Sequence, residues 1–298
     1  MRAVVFDEFG GPEVLHLGQV PEPQAGPGQV RVRVEAVALN PFDGKVRSGA
    51  MESAFRTRLP GSPGLEAAGV VDQVGPDVTG VAPGDRVTGW TSRGAAELAL
   101  LKLWAPVPDG LAATQAAALP VAGEAARRSL RILRPAAGET LLVHGASGVI
   151  GSLVTQLAVA AGVRVIGTAS PDNQDRVAAL GATPTTYGPG LVDRVRALAP
   201  AVDAVLDTTG RGVLPDSIEL RGGTERVLTL ADDAAHGLGV EFTERSEPSA
   251  EELADLIGAV VRGEVSVPVA HVLPLAEAAR AQALVDGGRS GGKVVLEP

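Results

Sequence analysis

Hydrophobic and polar positions change rhythm near residue 115. Before it, apolar residues come in short alternating runs: Val30, Val32 and Val34 alternate with Arg31, Arg33 and Glu35, and Gly69-Val70-Val71-Asp72-Gln73-Val74-Gly75 is a second run. A period of two predicts half-buried strands. Gly10-Gly11-Pro12, Gly26-Pro27-Gly28, Pro63-Gly64, Gly75-Pro76, Pro83-Gly84 and Pro108-Asp109-Gly110 separate the runs. The region therefore predicts an irregular, mostly antiparallel β domain. From Thr114, a candidate N-cap, the pattern turns alanine-rich and helical, with a first helix broken at Pro120.

Strand–helix–strand units then continue to about Gly263. Short apolar runs predict strands over 140–144, 164–168, 201–207 and 226–230. Helical spacing predicts helices over 172–180, ending at Gly181, over 191–199, ending at Pro200, and over 250–261. The last has Ser249 as cap and Glu251 and Glu252 in its first turn. The tail predicts a strand over 269–273, a helix over 275–284 and a final strand over 293–296, which can return to the first domain. An α/β fold follows.

One turn of the second region carries chemistry. Leu141, Leu142 and Val143 suit a buried strand, and Gly145-Ala146-Ser147-Gly148-Val149-Ile150-Gly151 leads into a helical face at Leu153, Val154, Leu157 and Ala158. Small residues at Ala146, Gly148 and Gly151 let the turn tighten, let backbone N–H groups approach a pyrophosphate, and let the helix pack on the strand. The helix start attracts phosphate through its dipole and unpaired N–H groups, with no basic side chain. A plain packing unit uses the same glycines, and that alternative stays open here.

Length and composition narrow the classes. The 298 residues are 45% apolar with a mean hydropathy of +0.18, enough for two packed domains. A net charge of −9 with no basic block argues against nucleic acid and membrane partners. The lack of cysteine excludes disulfides, thiolate catalysis and cysteine-ligated zinc. Met1-Arg2-Ala3-Val4-Val5-Phe6 runs at once into Asp7 and Glu8, and no apolar run reaches about 18 residues, so cytoplasmic residence is expected.

Further stretches follow in order: Met1-Arg2-Ala3-Val4-Val5, Leu39-Asn40-Pro41-Phe42-Asp43 with Arg47-Ser48-Gly49, Pro63-Gly64-Leu65-Glu66-Ala67-Ala68-Gly69-Val70-Val71, and Gly84-Asp85-Arg86-Val87. After them come Ala117-Ala118-Leu119-Pro120, the glycine turn, Leu180-Gly181-Ala182, Val205-Leu206-Asp207-Thr208-Thr209-Gly210 and Gly292-Lys293-Val294-Val295-Leu296. Together, over essentially the whole chain, they resemble the medium-chain dehydrogenase/reductase superfamily, in its zinc-independent quinone-oxidoreductase-like branch. The resemblance implies a GroES-like substrate domain over 1–115, completed by 265–298, and a Rossmann NADP-binding domain over 116–264. Cofactor and small-molecule substrate would meet between them. Zinc-dependent members need cysteines absent here, Leu65 stands where their ligand histidine falls, and His16, His144, His236 and His271 form no pair at ligand spacing. No metal is expected.

An NAD-specific site has an acid at the end of the second strand, accepting from the ribose 2′-hydroxyl. Here that end is Thr168-Ala169-Ser170. A 2′-phosphate would meet no repulsion, the hydroxyls can donate to it, and Arg176, about one helical turn on, can pair with it. NADPH is expected over NADH. Relatives resembling this segment carry lysine where Asn173 stands and a tyrosine matching Tyr187. The alternatives are that Arg176 is a solvated helix residue and Tyr187 a packing residue. Val149 replaces a frequent second glycine, so its backbone must be helical or extended. Ala125 replaces a threonine beside the nicotinamide amide. Thr209, Leu230 and Ala231 fall at strand ends expected to line the cofactor. Lys293 either reaches the cofactor or is a surface strand charge.

The resemblance implies direct hydride transfer to a quinone or α,β-unsaturated carbonyl compound, with negative charge developing on the carbonyl oxygen. Asn40 is the leading donor to that oxygen, and Asp43 and Lys45 are more remote; Asn before Pro also begins turns by bonding its own backbone. Glu124, Arg127 and Arg128 replace neutral residues and either reshape the cleft or face solvent. Arg47, Arg56 and Arg58 either attract an acidic substrate or lie in a solvated loop. Glu66, Asp85 and Arg86 read as turn and packing residues. Competing functions are an enoyl-thioester reductase of a biosynthetic pathway and a nucleotide-binding sensor or structural protein without turnover. A homodimer joined through sheet edges, with 226–243 contributing, is expected from the resemblance.

Overall fold

The computed structural model describes residues 1–243 and 246–298, and the chain divides into two units, Met1–Val121 with Pro248–Pro298, and Ala122–Glu247. The first is built on a seven-stranded sheet in the order Val269–Pro274, Lys293–Glu297, Val30–Leu39, Glu66–Val74, Arg86–Trp90 and Leu103–Pro106, with Leu98–Leu101 also pairing to Val30–Leu39. All pairs are antiparallel except Val269–Pro274 with Lys293–Glu297. The alternating run behaves as its pattern dictates: Val30, Val32 and Val34 are buried with Val4, Phe6 and Leu101, while Arg33 and Glu35 are exposed. The tail returns to this sheet, where Val294, Val295 and Leu296 pair with Leu39, Ala38 and Val37.

The second unit has six parallel strands in the order Thr183–Thr186, Arg164–Ala169, Thr140–His144, Ala204–Asp207, Val227–Thr229 and Glu241–Phe242. Leu142, Ile166, Val205 and Val227 are buried with Leu191, Val195 and Leu214, the continuous apolar strands of a sheet covered on both faces. The order runs outward from Thr140–His144 in one direction and from Ala204–Asp207 in the other. This is the Rossmann arrangement, and its ligand crevice lies at the carboxyl ends of strands where the order reverses.

Several expected limits move. The helix near Thr114 is Ala113–Ala117 with Ala112 before it, so Thr114 lies inside it and caps nothing. The strand expected from 201 begins at Ala204, and just before it Asp203 holds the start of the neighbouring strand, its carboxylate accepting from Thr140 N–H at 2.8 Å and its own N–H donating to Thr140 O at 2.9 Å. Residues 172–180 split into a 3₁₀ turn, Pro171–Asn173, and the helix Gln174–Ala179. The helix Ala250–Val261 forms with its expected cap, Ser249 Oγ accepting from Glu252 N–H at 3.2 Å. It belongs to the first unit rather than to a domain over 116–264, because Leu253, Leu256 and Ile257 are buried as it packs on Leu103–Pro106. Among the described residues no helix is long and apolar enough to cross a membrane.

Candidate functional site

His144, Thr168 and Asp207 stand side by side at the carboxyl ends of three adjacent parallel strands, and the chain leaves the first through Gly145. Gly145 has φ +78°, and a Cβ there would press on the Thr208 and Thr209 side chains. Buried Ala146 donates its N–H to Thr168 O at 3.0 Å, and Gly148 donates to Gly145 O at 2.9 Å, with Ser147 half-buried between them. A Cβ on Gly151 would strike Gly145 O, so only glycine lets the helix Val149–Ala160 begin this close to the strand. Val149 opens that helix in ordinary helical backbone, so the valine meets no positive-φ requirement.

No side chain caps this helix, and the first N–H groups of a helix, here those of Val149, Ile150 and Gly151, have no intrahelical partner. An uncapped N-terminus on a glycine bed at the switch point fits a pyrophosphate. The turn residues 146–151 are those that would hold it.

The second strand end suits a ribose phosphate. Ser170 Oγ accepts from Asn173 Nδ2 at 2.8 Å, which leaves the hydroxyl proton of Ser170 free to be donated. Gln174 Nε2 ties Ala169 O, Ser170 O and Thr185 O together, so the end of Thr183–Thr186 lies beside it and exposed Tyr187 follows directly. Arg176 is half-buried on Gln174–Ala179. Thr168 differs from expectation. Its side chain is buried, and its hydroxyl faces His144 Nδ1 at 3.4 Å and Gly145 N–H at 3.3 Å, beneath the turn rather than toward a ligand.

Asp207 is fully buried and spends its carboxylate on nearby groups: Oδ1 accepts from Thr209 N–H and O–H at 2.8 and 2.7 Å, and Oδ2 from Thr229 O–H at 2.8 Å. Leu230 N–H reaches Asp207 O at 2.9 Å, and a Cβ on Gly210 would strike Ala231 O, so Thr209, Leu230 and Ala231 are drawn together. Ala125 is buried on the helix Pro120–Leu133, and its carbonyl accepts from Ser129 Oγ at 2.7 Å. It offers a ligand no polar side chain. Glu124 and Arg128 on the same helix do not face solvent. They form a buried ion pair at 2.7 Å that also grips Thr243 through Arg128 and Glu247 N–H through Glu124, at 2.9 Å.

In the first unit, Asn40, Asp43, Glu66 and Lys293 form a buried polar cluster. Glu66 Oε1 accepts from Lys293 Nζ and, at 2.9 Å, from Asn40 Nδ2, while its Oε2 accepts from Val121 N–H at 2.7 Å. Lys293 Nζ also donates to Asn40 Oδ1 at 2.7 Å. Lys293 is thus no surface charge, and its ammonium is committed inside the protein. The second Asn40 N–H has only Ala38 O at 3.5 Å, the outer limit of a hydrogen bond. Asn40 precedes the helix Pro41–Arg47, and the capping there comes from Asp43, which accepts from Asn40 N–H and Gly64 N–H, both at 2.8 Å. Burial is the largest effect on Asp43 and drives its pKa up from 3.8 to about 6, against those hydrogen bonds.

Arg47 is buried too, donating to Gly10 O and to Asp286 Oδ2 at 2.6 Å, and so belongs neither to a solvated loop nor to a substrate subsite. Glu66 is the residue the sequence reading undervalued. Its signal was legible: an acid heading the apolar run Ala67-Ala68-Gly69-Val70-Val71, and a lysine heading Val294-Val295-Leu296, are a charge pair awaiting burial. Among the described residues no three His, Asp or Glu side chains come together as metal ligands.

Comparison with known proteins agrees with this architecture. The family model "Alcohol dehydrogenase GroES-like domain" matches residues 26–118 and "Zinc-binding dehydrogenase" matches 180–296. A quinone oxidoreductase of Mus musculus is 31% identical, with 99% of this chain and 97% of that protein covered. A 2-methylene-furan-3-one reductase of Solanum lycopersicum is 32% identical over 100% of this chain and 79% of its own length. Mycobacterial Rv1454c, solved in complex with NADPH, superposes with a TM-score of 0.87 at 30% identity, with both chains covered fully.

Proposed function

Starting from a chain that belongs to the medium-chain dehydrogenase/reductase superfamily, in its quinone-oxidoreductase-like branch, and is an oxidoreductase, we propose that it uses NADPH, without zinc, to reduce a quinone or an α,β-unsaturated carbonyl compound. The observation that carries the reading is the uncapped, glycine-bedded start of Val149–Ala160 beside an acid-free second strand end.

Residues 146–151 would take the pyrophosphate on backbone N–H groups. Ser170, Asn173 and Arg176 would offer donors to the 2′-phosphate, which an acid in the place of Ser170 would repel. Tyr187 is exposed next to them, and Thr209, Leu230 and Ala231 form the wall over the next strand ends. When bound, NADPH supplies a hydride.

The protein's part in the reaction is orientation and charge. Glu66 and Lys293 fix both ends of the Asn40 amide, so its remaining N–H has a set direction and can donate to a carbonyl oxygen as charge grows there. Lys293 is assigned to orienting Asn40 rather than to holding cofactor.

A panel of acceptors tests the proposal. NADPH oxidation by quinones or small enones supports it; oxidation by an enoyl thioester alone moves the activity to a biosynthetic pathway; NADPH binding without oxidation by any acceptor marks a sensor or structural protein.

A further inference from the structure

His144 ends the first parallel strand, is wholly buried, and has no role in the chemistry above. Its partners determine which ring nitrogen carries the hydrogen. Ser217 Oγ donates its single proton to Val213 O at 2.7 Å, so toward His144 Nε2, 3.1 Å away, it can only accept. Nε2 therefore carries the hydrogen. Burial pushes the imidazole pKa down to about 4, more than the nearby Asp207 charge raises it, so the ring is neutral and Nδ1 is an acceptor.

Nδ1 faces Thr168 Oγ1 at 3.4 Å. With the Thr168 proton turned to the ring, its oxygen lone pairs are left for Gly145 N–H at 3.3 Å. Donation thus runs one way from Gly145 to Thr168 to His144, and on through Ser217 to Val213. The opposite edge of the same peptide unit is held as well, since His144 O accepts from Thr208 Oγ1 at 2.8 Å and Thr208 N–H at 3.3 Å. The His144–Gly145 peptide is gripped on both edges, at the point where the turn begins and where Gly145 takes φ +78°. Gly145 O in turn accepts from Gly148 and seats Gly151.

We propose that His144 is a positioning residue for the dinucleotide: through Thr168 it sets the plane of the His144–Gly145 peptide and so preforms the phosphate-binding turn. This rests on the reading that the turn holds NADPH.

The test measures NADPH affinity by nucleotide fluorescence for the whole protein, with thermal unfolding alongside. Thr168→Val and His144→Leu break the relay and should weaken NADPH binding about tenfold, the effect of one lost hydrogen bond in a binding constant. Thr168→Ser, which keeps the hydroxyl, and His144→Asn, which keeps an acceptor toward Thr168, should stay within about threefold of wild type. Equal affinity in all four variants overturns the inference while leaving the NADPH reading intact. A wild-type protein that binds no NADPH overturns both. Should the relay-breaking variants fail to fold, nitrogen NMR of the wild type decides. A hydrogen on Nε2 and slow exchange at Gly145 N–H support the relay, and a hydrogen on Nδ1 or fast exchange overturns it.

Discussion

Lys293 Nζ donates to Asn40 Oδ1 at 2.7 Å across 253 positions of sequence. The last strand of the chain thereby fixes the rotamer of a residue at the end of an early one, and Glu66 closes the triangle by binding both. A buried pair of this kind is costly to break from one side only, because the remaining charge loses its partner.

Lys293→Met should therefore lower unfolding free energy by about 3 kcal/mol, while Lys293→Met combined with Glu66→Gln should recover part of that loss. Denaturant titrations of the two single variants and the double variant check this. Additive losses would mean that Lys293 and Glu66 do not stabilise one another.

Asn40→Ala tests the donor role. It should lower kcat by about 10²-fold with the dissociation constant for NADPH almost unchanged, as expected when one donor to a developing oxyanion is removed. Unchanged kcat at saturating acceptor would remove Asn40 from the chemistry.

Asp43 gives a pH signature. An acid whose folded pKa is raised from 3.8 to about 6 binds its proton more tightly folded than unfolded, so its contribution to stability grows as pH falls through 6 and is complete below 3.8. The full span is about 3 kcal/mol. His144 acts in the opposite sense, since its folded pKa of about 4 lies below 6.5 and stability is lost as pH falls through that interval. Total stability therefore mixes the two. The difference between wild type and Asp43→Asn isolates the first: wild type should gain about 2 kcal/mol on the variant between pH 7 and pH 4, and a flat difference would contradict the burial of an ionised Asp43.

The second strand end predicts cofactor preference. Ser170→Asp should reverse preference toward NADH by about tenfold or more, through repulsion of the 2′-phosphate, and Asn173→Lys should sharpen preference for NADPH by about the same factor. Ratios of kcat/KM for the two cofactors read both effects, and indifference of the ratio to Ser170→Asp would move the 2′-phosphate elsewhere.

Much of this architecture was legible in the sequence because it rests on local patterns. The alternation at Val30–Leu39 and the apolar run Thr140–His144 fix two central strands, and Ser249 marks the start of a helix to the residue. In the parallel sheet the two strands not expected, Thr183–Thr186 and Glu241–Phe242, are edge strands of four and two residues, one containing Pro184, and edges need neither length nor apolar content. The candidate site was legible where backbone makes it, at 146–151. It was not where side chains from distant strands meet: nothing local to Asn40 announces Lys293 as its partner, and nothing local to Thr168 announces that His144 claims its hydroxyl. Both facts are properties of register, which only the folded sheets specify.

Cofactor choice and independence from metal are read together in the ratio of kcat/KM for NADPH to that for NADH, measured with a quinone or enone acceptor on protein treated with a metal chelator. A ratio well above one, with turnover surviving the chelator and Arg176→Ala lowering the ratio, is the predicted result; a ratio at or below one, or activity lost to the chelator, would contradict it.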